Sequence, residues 1–499
     1  MSRVVTQPGP PSASWARTAQ LAPRSRFATL LMLVWMVGCG ATGGLPAPTH
    51  PLTRAPDEPF RRHPPEILPG PPLRAPALSE VQLPNGLTLI VVPRPGWPTV
   101  SVALVTRATE LDYEPGALEL SSAYIARLGV LRQPDTVLGF GAGLTGAAVT
   151  GTAQTRDLET VLDAFAEAIV AELDTRAMQQ ARAELLLDEE MSASSPLGAG
   201  RSFAMQALYL PSASFGALRR DRYRAVANVS PPLLSVVTRD AFRPADTAVI
   251  LVGDITAERA RALVEPRLGA PYEGRPRATR SAPPAHDTQL PLGAGSMRSS
   301  QLQLVYGLPA PQLHEDDWAA YQVLEAVLAG GFTSSLNTRI RHQLGASYGV
   351  RWGSWFDYPG HAAFIEARID AERAVPALTA FFTELTRVRQ APLGEAELDR
   401  ARRVVWGEWE ARFATPGGLL GVCQRAFSAR MSVDDVAARA EATRHVSASA
   451  VHGVATVRLR PARNVVVLTG PLEALRGYQV TRSEAGFALV PAPLGVPLR

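Results

Sequence analysis

The chain predicts an α+β protein made of two homologous halves, each a mixed sheet with helices packed on it. Three observations carry this. Residues 243–253 read Arg-Pro-Ala-Asp-Thr-Ala-Val-Ile-Leu-Val-Gly and residues 460–470 read Arg-Pro-Ala-Arg-Asn-Val-Val-Val-Leu-Thr-Gly, identical at six of eleven positions in one register. The same order of strand signals and long amphipathic helices occurs on each side of the chain's middle. Between the two copies, residues 272–292 are rich in Pro, Arg and Gly and read as an interdomain linker. Repetition on this scale means two copies of one α+β unit rather than a solenoid of short repeats.

The first unit spans 78–271. Leu83-Pro-Asn-Gly-Leu87 is a hairpin signal between two apolar runs. The stretch 100–105 alternates as a strand, and 116–128 places Leu120, Tyr124 and Leu128 on one helical face. A Gly-rich strand pair over 140–152 precedes long helices at 157–173 and 176–191 and a further helix at 202–210. A buried strand at 249–253 leads into a helix at 258–268. The second unit, 293–475, repeats the pattern: strand 301–306, helix 318–328, strand 362–369, and helices 374–388 and 395–413. Residues 476–499 are set apart as a C-terminal tail.

Ahead of both units lies a targeting segment. Arg17, Arg24 and Arg26 precede an apolar run over 27–37, too short for a comfortable membrane span, so residues 1–38 read as a signal peptide. Met36-Val-Gly-Cys39 resembles a bacterial lipobox, which implies cleavage before Cys39 and lipidation of its thiol; the alternative is a plain signal peptide or a misassigned start. Gly40 is not the Asp of inner-membrane retention, so the resemblance favours the outer membrane, facing the periplasm. Residues 39–77 are Pro-rich without apolar periodicity and form a tether from the lipid to the first domain. Only Cys423 then remains, so the mature chain forms no intrachain disulfide. All fifty basic residues are Arg, a compositional bias that lowers the meaning of any single Arg cluster. The net charge is only +4, and no basic stripe interleaved with aromatics suggests nucleic acid.

The most informative stretch is 330–348, Gly-Gly-Phe-Thr-Ser-Ser-Leu-Asn-Thr-Arg-Ile-Arg-His-Gln-Leu-Gly-Ala-Ser-Tyr. A glycine pair ends the preceding helix. A short amphipathic helix then carries Leu336, Ile340 and Leu344 at i, i+4 and i+8, and Gly345 stops it before a strand that opens at Tyr348. Arg341 and Tyr348 flank one tight turn. The pattern Gly-Gly-Phe-x-Ser-x-Leu followed by Arg341, Gly345 and Tyr348 resembles the second half of pitrilysin/insulinase-type zinc peptidases, the inverzincins. The resemblance covers roughly 78–472. It implies a clam-shell half built from the two domains, and it places Arg341 and Tyr348 at the positions that help bind substrate and the reacting carbonyl. The plain structural alternative is a helix–strand corner with a surface Arg and a core Tyr.

That family carries its zinc on a His-x-x-Glu-His helix in the first half. Aligned on 115–124, its two His positions fall on Glu119 and Ala123 and its catalytic Glu on Ser122. No His occurs between His63 and His286, so the first half can make no His-based zinc site in any register. Glu189 or Glu190 stands near the family's third ligand. The run His314-Glu-Asp-Asp317 reads as helix capping before metal binding, His445 and His452 lack close acidic or Cys partners, and Cys423 reads as packed in a helix. No nucleophile elbow, phosphate loop or dinucleotide fingerprint is present. The resemblance therefore implies a non-catalytic subunit, inactive alone and without a metal of its own. It supplies Arg341 and Tyr348 in trans to a homologous, zinc-bearing partner that hydrolyses a peptide substrate. A lipid-anchored assembly or peptide-binding scaffold is the alternative.

Overall fold

A computed structural model describes residues 70–143, 145–208, 222–270, 277, 292–354 and 362–492. The signal segment, Cys39 and most of the tether and the interdomain linker lie outside the described residues.

In the first half, β1 (Ser79–Gln82), β2 (Thr88–Pro93), β3 (Thr99–Thr106), β4 (Val137–Ala142), β5 (Ala147–Gln154) and β6 (Thr247–Gly253) form one sheet in the order β1-β2-β6-β3-β5-β4. Only β2 and β6 run parallel; every other neighbouring pair is antiparallel. The Asn85-Gly86 turn joins β1 to β2, and the buried Asn85 carboxamide donates to the carbonyls of Leu268 and Ala270 at 2.7 and 3.0 Å. Helices α1 (Ala117–Arg132), α2 (Leu158–Val170), α3 (Thr175–Ser194), α4 (Pro196–Leu208), α5 (Arg222–Asn228), α6 (Pro231–Ala241) and α7 (Ala257–Leu268) complete this half. Gly116 opens α1 at φ 74°, where any Cβ would lie 2.8 Å from a Val226 methyl.

The second half repeats five of the six strands, without a counterpart of β1. The strands β7 (Leu292–Ser296), β8 (Gln301–Pro309), β9 (Ser347–Ser354), β10 (Ala362–Asp370) and β11 (Val465–Gly470) run in the order β7-β11-β8-β10-β9. Again the one parallel pair, β7 with β11, is at the corresponding place. The repeated Arg-Pro-Ala sequences form the same feature twice: a 3₁₀ turn leading into the strand beside the parallel neighbour, β6 or β11. The expected pair of homologous α+β halves is therefore what the chain adopts. Helices α8 (Trp318–Ala329), α9 (Ala374–Gln390), α10 (Glu395–Ala414), α11 (Pro416–Ala429), α12 (Val433–Ala442) and α13 (Ala448–Arg458) belong to this half. The segment set apart as a tail contains a hairpin, β12 (Tyr478–Ser483) and β13 (Gly486–Pro491). Its Phe487 packs edge-on to Tyr306 at 5.9 Å between ring centres and lies 6.0 Å from Phe382.

The halves exchange helices. α4 follows the long helix α3 and crosses to the second sheet, packing on β7, β8 and β11. There Ala204, Met205 and Leu208 meet Val305, Phe364, Val465 and Val467. Thr469 Oγ1 donates to the Pro196 carbonyl at 2.6 Å, and Arg201 forks onto the Glu366 carboxylate at 2.5 Å through both nitrogens. α11 likewise follows the long helix α10 and packs on β3 and β6 of the first sheet. Its apolar face joins Ile90, Val92, Val105, Ile250 and Val252 in one core, and Arg107 both donates to the Phe427 carbonyl at 3.0 Å and stacks 3.7 Å from its ring centre. The other face of the first sheet packs on that half's own helices through Val100, Val102 and Leu104. Covering on both faces is why these strands read as continuous apolar runs. Each fully buried Leu, Val or Phe contributes about 1.5–3 kcal/mol, so the exchange is a large share of what holds the halves together.

Candidate functional site

Helix α8 ends in Gly330 and Gly331, the latter at φ 124°. The chain then passes Phe332 and Ser334 and enters Asn337–Gln343, which winds as a π-helix rather than the expected α-helix. The wider turn shows in the amide of Leu344 reaching the Arg339 carbonyl at 3.1 Å. Leu336 and Ile340 are buried as the apolar spacing requires, while Leu344 is half-buried. Gly345 at φ 56° closes the segment, and Arg373 donates to the carbonyls of Leu344 and Gly345 at 2.8 Å each. β9 begins two residues later.

This corner brings Arg341 and Tyr348 together. The Arg341 guanidinium lies 4.3 Å from the Phe332 ring centre and 5.9 Å from that of Tyr348. Its Nη1 is buried and has no hydrogen-bond partner among the described residues. Tyr348 is 92% exposed and Phe332 65% exposed. The plain structural alternative required a core Tyr; the ring instead stands in the open on an edge strand. Phe332 has a place in this cluster that the sequence reading did not give it. Its signal was an aromatic side chain directly after a glycine pair, where a turn ordinarily carries polar residues.

Against the same segment is a cavity of about 480 Å³, lined in part by Thr333, Ser334, Arg339, Glu384, Arg387 and Arg400. The Glu384 side chain is fully buried and receives Arg339 at 2.8 Å and Arg387 at 2.7 Å; Arg387 also reaches Glu397 at 2.7 Å. Burial opposes the charged form of Glu384, but the guanidinium contacts outweigh it and hold the carboxyl below the usual carboxylate range. This network ties the π-helical segment to α9 and α10.

The first half is different. On α1, Ser122 is buried and spends its hydroxyl on the Leu118 carbonyl at 3.1 Å, and Ala123 is buried without a donor. Glu119 is half-buried and already engaged. The positions that would bear two imidazoles and a general base thus hold one carboxylate, one hydroxyl bonded within its own helix and one methyl. That donor set does not fit zinc, and no group of three metal-ligating side chains occurs among the described residues. Glu189 and Glu190 lie on α3, the former half-buried and also engaged. Glu315 and Asp317 both receive Arg458, at 2.9 and 2.7 Å, so the acidic run before α8 anchors α13. His452 meets the Arg389 carbonyl at 3.1 Å, and burial pushes the Cys423 thiol up to about 12. On α8, the counterpart of α1, burial and the nearby Glu408 carboxylate push Glu325 up to about 8.

Fold and site together resemble a clam-shell half of the pitrilysin type in which the zinc donors are missing. Residues 238–405 match the family model of the peptidase M16 inactive domain, a stretch that contains both Arg341 and Tyr348. Among solved structures, the chain is similar to the peptidase M16 inactive domain from Pseudomonas fluorescens (17% identity, TM-score 0.67, covering 79% of this chain and 98% of that one). It is similar to a protease from Helicobacter pylori (14% identity, TM-score 0.67, 80% and 100% covered). It is also similar to the first half of the periplasmic protease PqqL from Escherichia coli (16% identity, TM-score 0.61, 81% and 94% covered), and spans 48% of the whole of that protease. No curated protein matches the chain by sequence. At these identities the structural likeness is one of fold. Over 238–405 the chain thus matches an M16-like inactive domain, as its 330–348 stretch implied.

Proposed function

We propose that this chain is the zinc-less, substrate-binding subunit of a two-chain peptidase, presenting Arg341 and Tyr348 to the zinc site of a homologous partner that carries His-x-x-Glu-His. The observation that carries the reading is the presentation of the pair. A tyrosine 92% exposed with no hydroxyl partner among the described residues, beside a guanidinium with a buried, unpartnered nitrogen, contributes little to the fold. Both are donors without acceptors. The partner's zinc would supply the activated water. From this chain, the Tyr348 phenol would donate to the carbonyl oxygen as negative charge gathers on it, and Arg341 would hold the adjacent peptide backbone. The chain's likeness to one half of PqqL supports a partner of the same fold. In the same proposal, Cys39 carries the lipid that tethers the subunit to the outer membrane, facing the periplasm.

The test is reconstitution. The mature chain alone should carry no stoichiometric zinc and cleave no peptide. Mixed with a homologous chain bearing the zinc motif, it should yield chelator-sensitive peptide hydrolysis exceeding that of the partner alone. Stoichiometric zinc with hydrolysis in the isolated chain would overturn the proposal. A pair whose rate is indifferent to this chain would leave an assembly scaffold.

A further inference from the structure

Asn337 stands one helical step before Arg341 and is only 4% exposed. Its carboxamide touches three residues in two pieces of chain, the loop after α8 and β9. Nδ2 donates to the Gly331 carbonyl at 2.9 Å, to Ser334 Oγ at 3.1 Å and to the Val350 carbonyl at 2.9 Å, and Oδ1 accepts from the Val350 amide at 2.8 Å. Ser334 Oγ in turn donates to the Gly331 carbonyl at 2.8 Å. With two Nδ2 hydrogens and three acceptors, at least one contact is shared.

The Val350 contacts are those a neighbouring strand would make. Among the described residues, β9 is the edge of its sheet and pairs only with β10. Asn337 satisfies both backbone groups of Val350 and so closes the strand's open edge there, two residues from Tyr348. The same carboxamide fixes the glycine loop on both sides of Phe332. The ring that stacks on Arg341, the helix that carries Arg341 and the strand that carries Tyr348 therefore meet at one buried amide.

We infer that Asn337 is the positioning residue of the Arg341–Tyr348 pair, an inference that rests on the function proposed above. It touches no substrate and acts by holding the two donors in one register. A displacement of about 1 Å at a reacting centre can cost about 10²-fold in rate, and no other described side chain hydrogen-bonds to both the glycine loop and β9.

The experiment uses the full chain, alone and with its zinc-bearing partner, in four forms: wild type, Asn337→Ala, Tyr348→Phe and the double variant. Asn337→Asp is added because it keeps the side chain's shape and the acceptor for the Val350 amide while losing the donors, should Asn337→Ala fold poorly. On the chain alone, hydrogen exchange reads the register: the Val350 amide should lose its protection in Asn337→Ala. On the pair, kcat should fall about 10²-fold with KM moving much less. Tyr348→Phe should cost little more in the Asn337→Ala background, because its donor is already misplaced. Retained protection at Val350 overturns the inference, and so do losses that simply multiply in the double variant; either result leaves the role of Tyr348 standing if Tyr348→Phe alone is slow. If Tyr348→Phe alone has wild-type kinetics, the proposed function fails and this inference fails with it.

Discussion

Replacing Tyr348 by Phe should separate function from stability almost completely. The substitution removes one hydroxyl that hydrogen-bonds to no described residue, from a ring 92% exposed, so folding neither loses a hydrogen bond nor changes its burial. Exposed substitutions of this kind stay within about 0.5 kcal/mol, which for a protein of this size moves Tm by about 2 °C at most. If the phenol donates to the developing oxyanion, its loss costs about 10²–10³ in kcat, or about 3–4 kcal/mol of barrier. The effect on rate thus exceeds the effect on stability several-fold. Arg341→Ala differs in kind. It forfeits stacking on Phe332 at 4.3 Å and Tyr348 at 5.9 Å, worth about 0.5–1 kcal/mol for an exposed cation–π contact. It should raise KM more than it lowers kcat. The assay is initial rates of the reconstituted pair across substrate concentration, with melting curves for each variant. Wild-type kinetics from two well-folded variants would refute the donor role. Activity lost in proportion to a fallen Tm would show that the corner is structural.

Three further outcomes are expected. Glu384→Gln should destabilise the chain by about 3 kcal/mol, the low end for a broken buried ion pair because Arg387 keeps Glu397; urea midpoints measure it. For Glu325, burial first and then Glu408 raise the folded pKa to about 8 from an ordinary 4.5. The folded state then holds an extra proton between those values, and stability falls as pH rises through them. Glu325→Gln should flatten that slope and melt above wild type at pH 9, read by thermal melts from pH 5 to 9. Cys39→Ser should abolish lipid attachment, leaving the chain unprocessed or, if cleaved elsewhere, soluble; wild-type chain that fractionates with soluble protein and carries no lipid would exclude the anchor.

Much of the fold was legible because the strongest local signals were duplicated. The 243–253 and 460–470 stretches predicted equivalent strands, and each is the inner member of its sheet's parallel pair. The missing zinc donors were legible from the absence of His between 63 and 286. What was not legible depends on partners distant in sequence. Seven residues of π-helix cannot be told from α-helix by periodicity, since Leu336 and Ile340 suit either. An aromatic residue opening a strand reads as core, and only tertiary placement exposes Tyr348. Asn337 looks like an ordinary polar helix residue, because its register with Val350 depends on how the chain turns at Gly345. Helix α4 was expected near residue 202, but nothing local says that it begins at Pro196 or that its apolar face belongs to the other half.

That last feature bears on how such a protein can open and close. A two-domain enzyme commonly admits substrate by bending at the linker between its domains. Here each half is roofed by a helix rooted in the other, so a hinge at 272–292 would have to strip α4 from β8 and α11 from β3 at once. Both seams are apolar, with Arg201–Glu366 and Arg107–Phe427 added. Bending between the halves would therefore have to break both seams together. On the function proposed above, a gate that admits a peptide would then lie between the two chains rather than within this one. A half expressed alone exposes an apolar sheet face together with an unseated helix, and the two have complementary chemistry. Two copies of it could seat each other's helices by domain swapping, rebuilding as a dimer the arrangement that the full-length chain makes within itself.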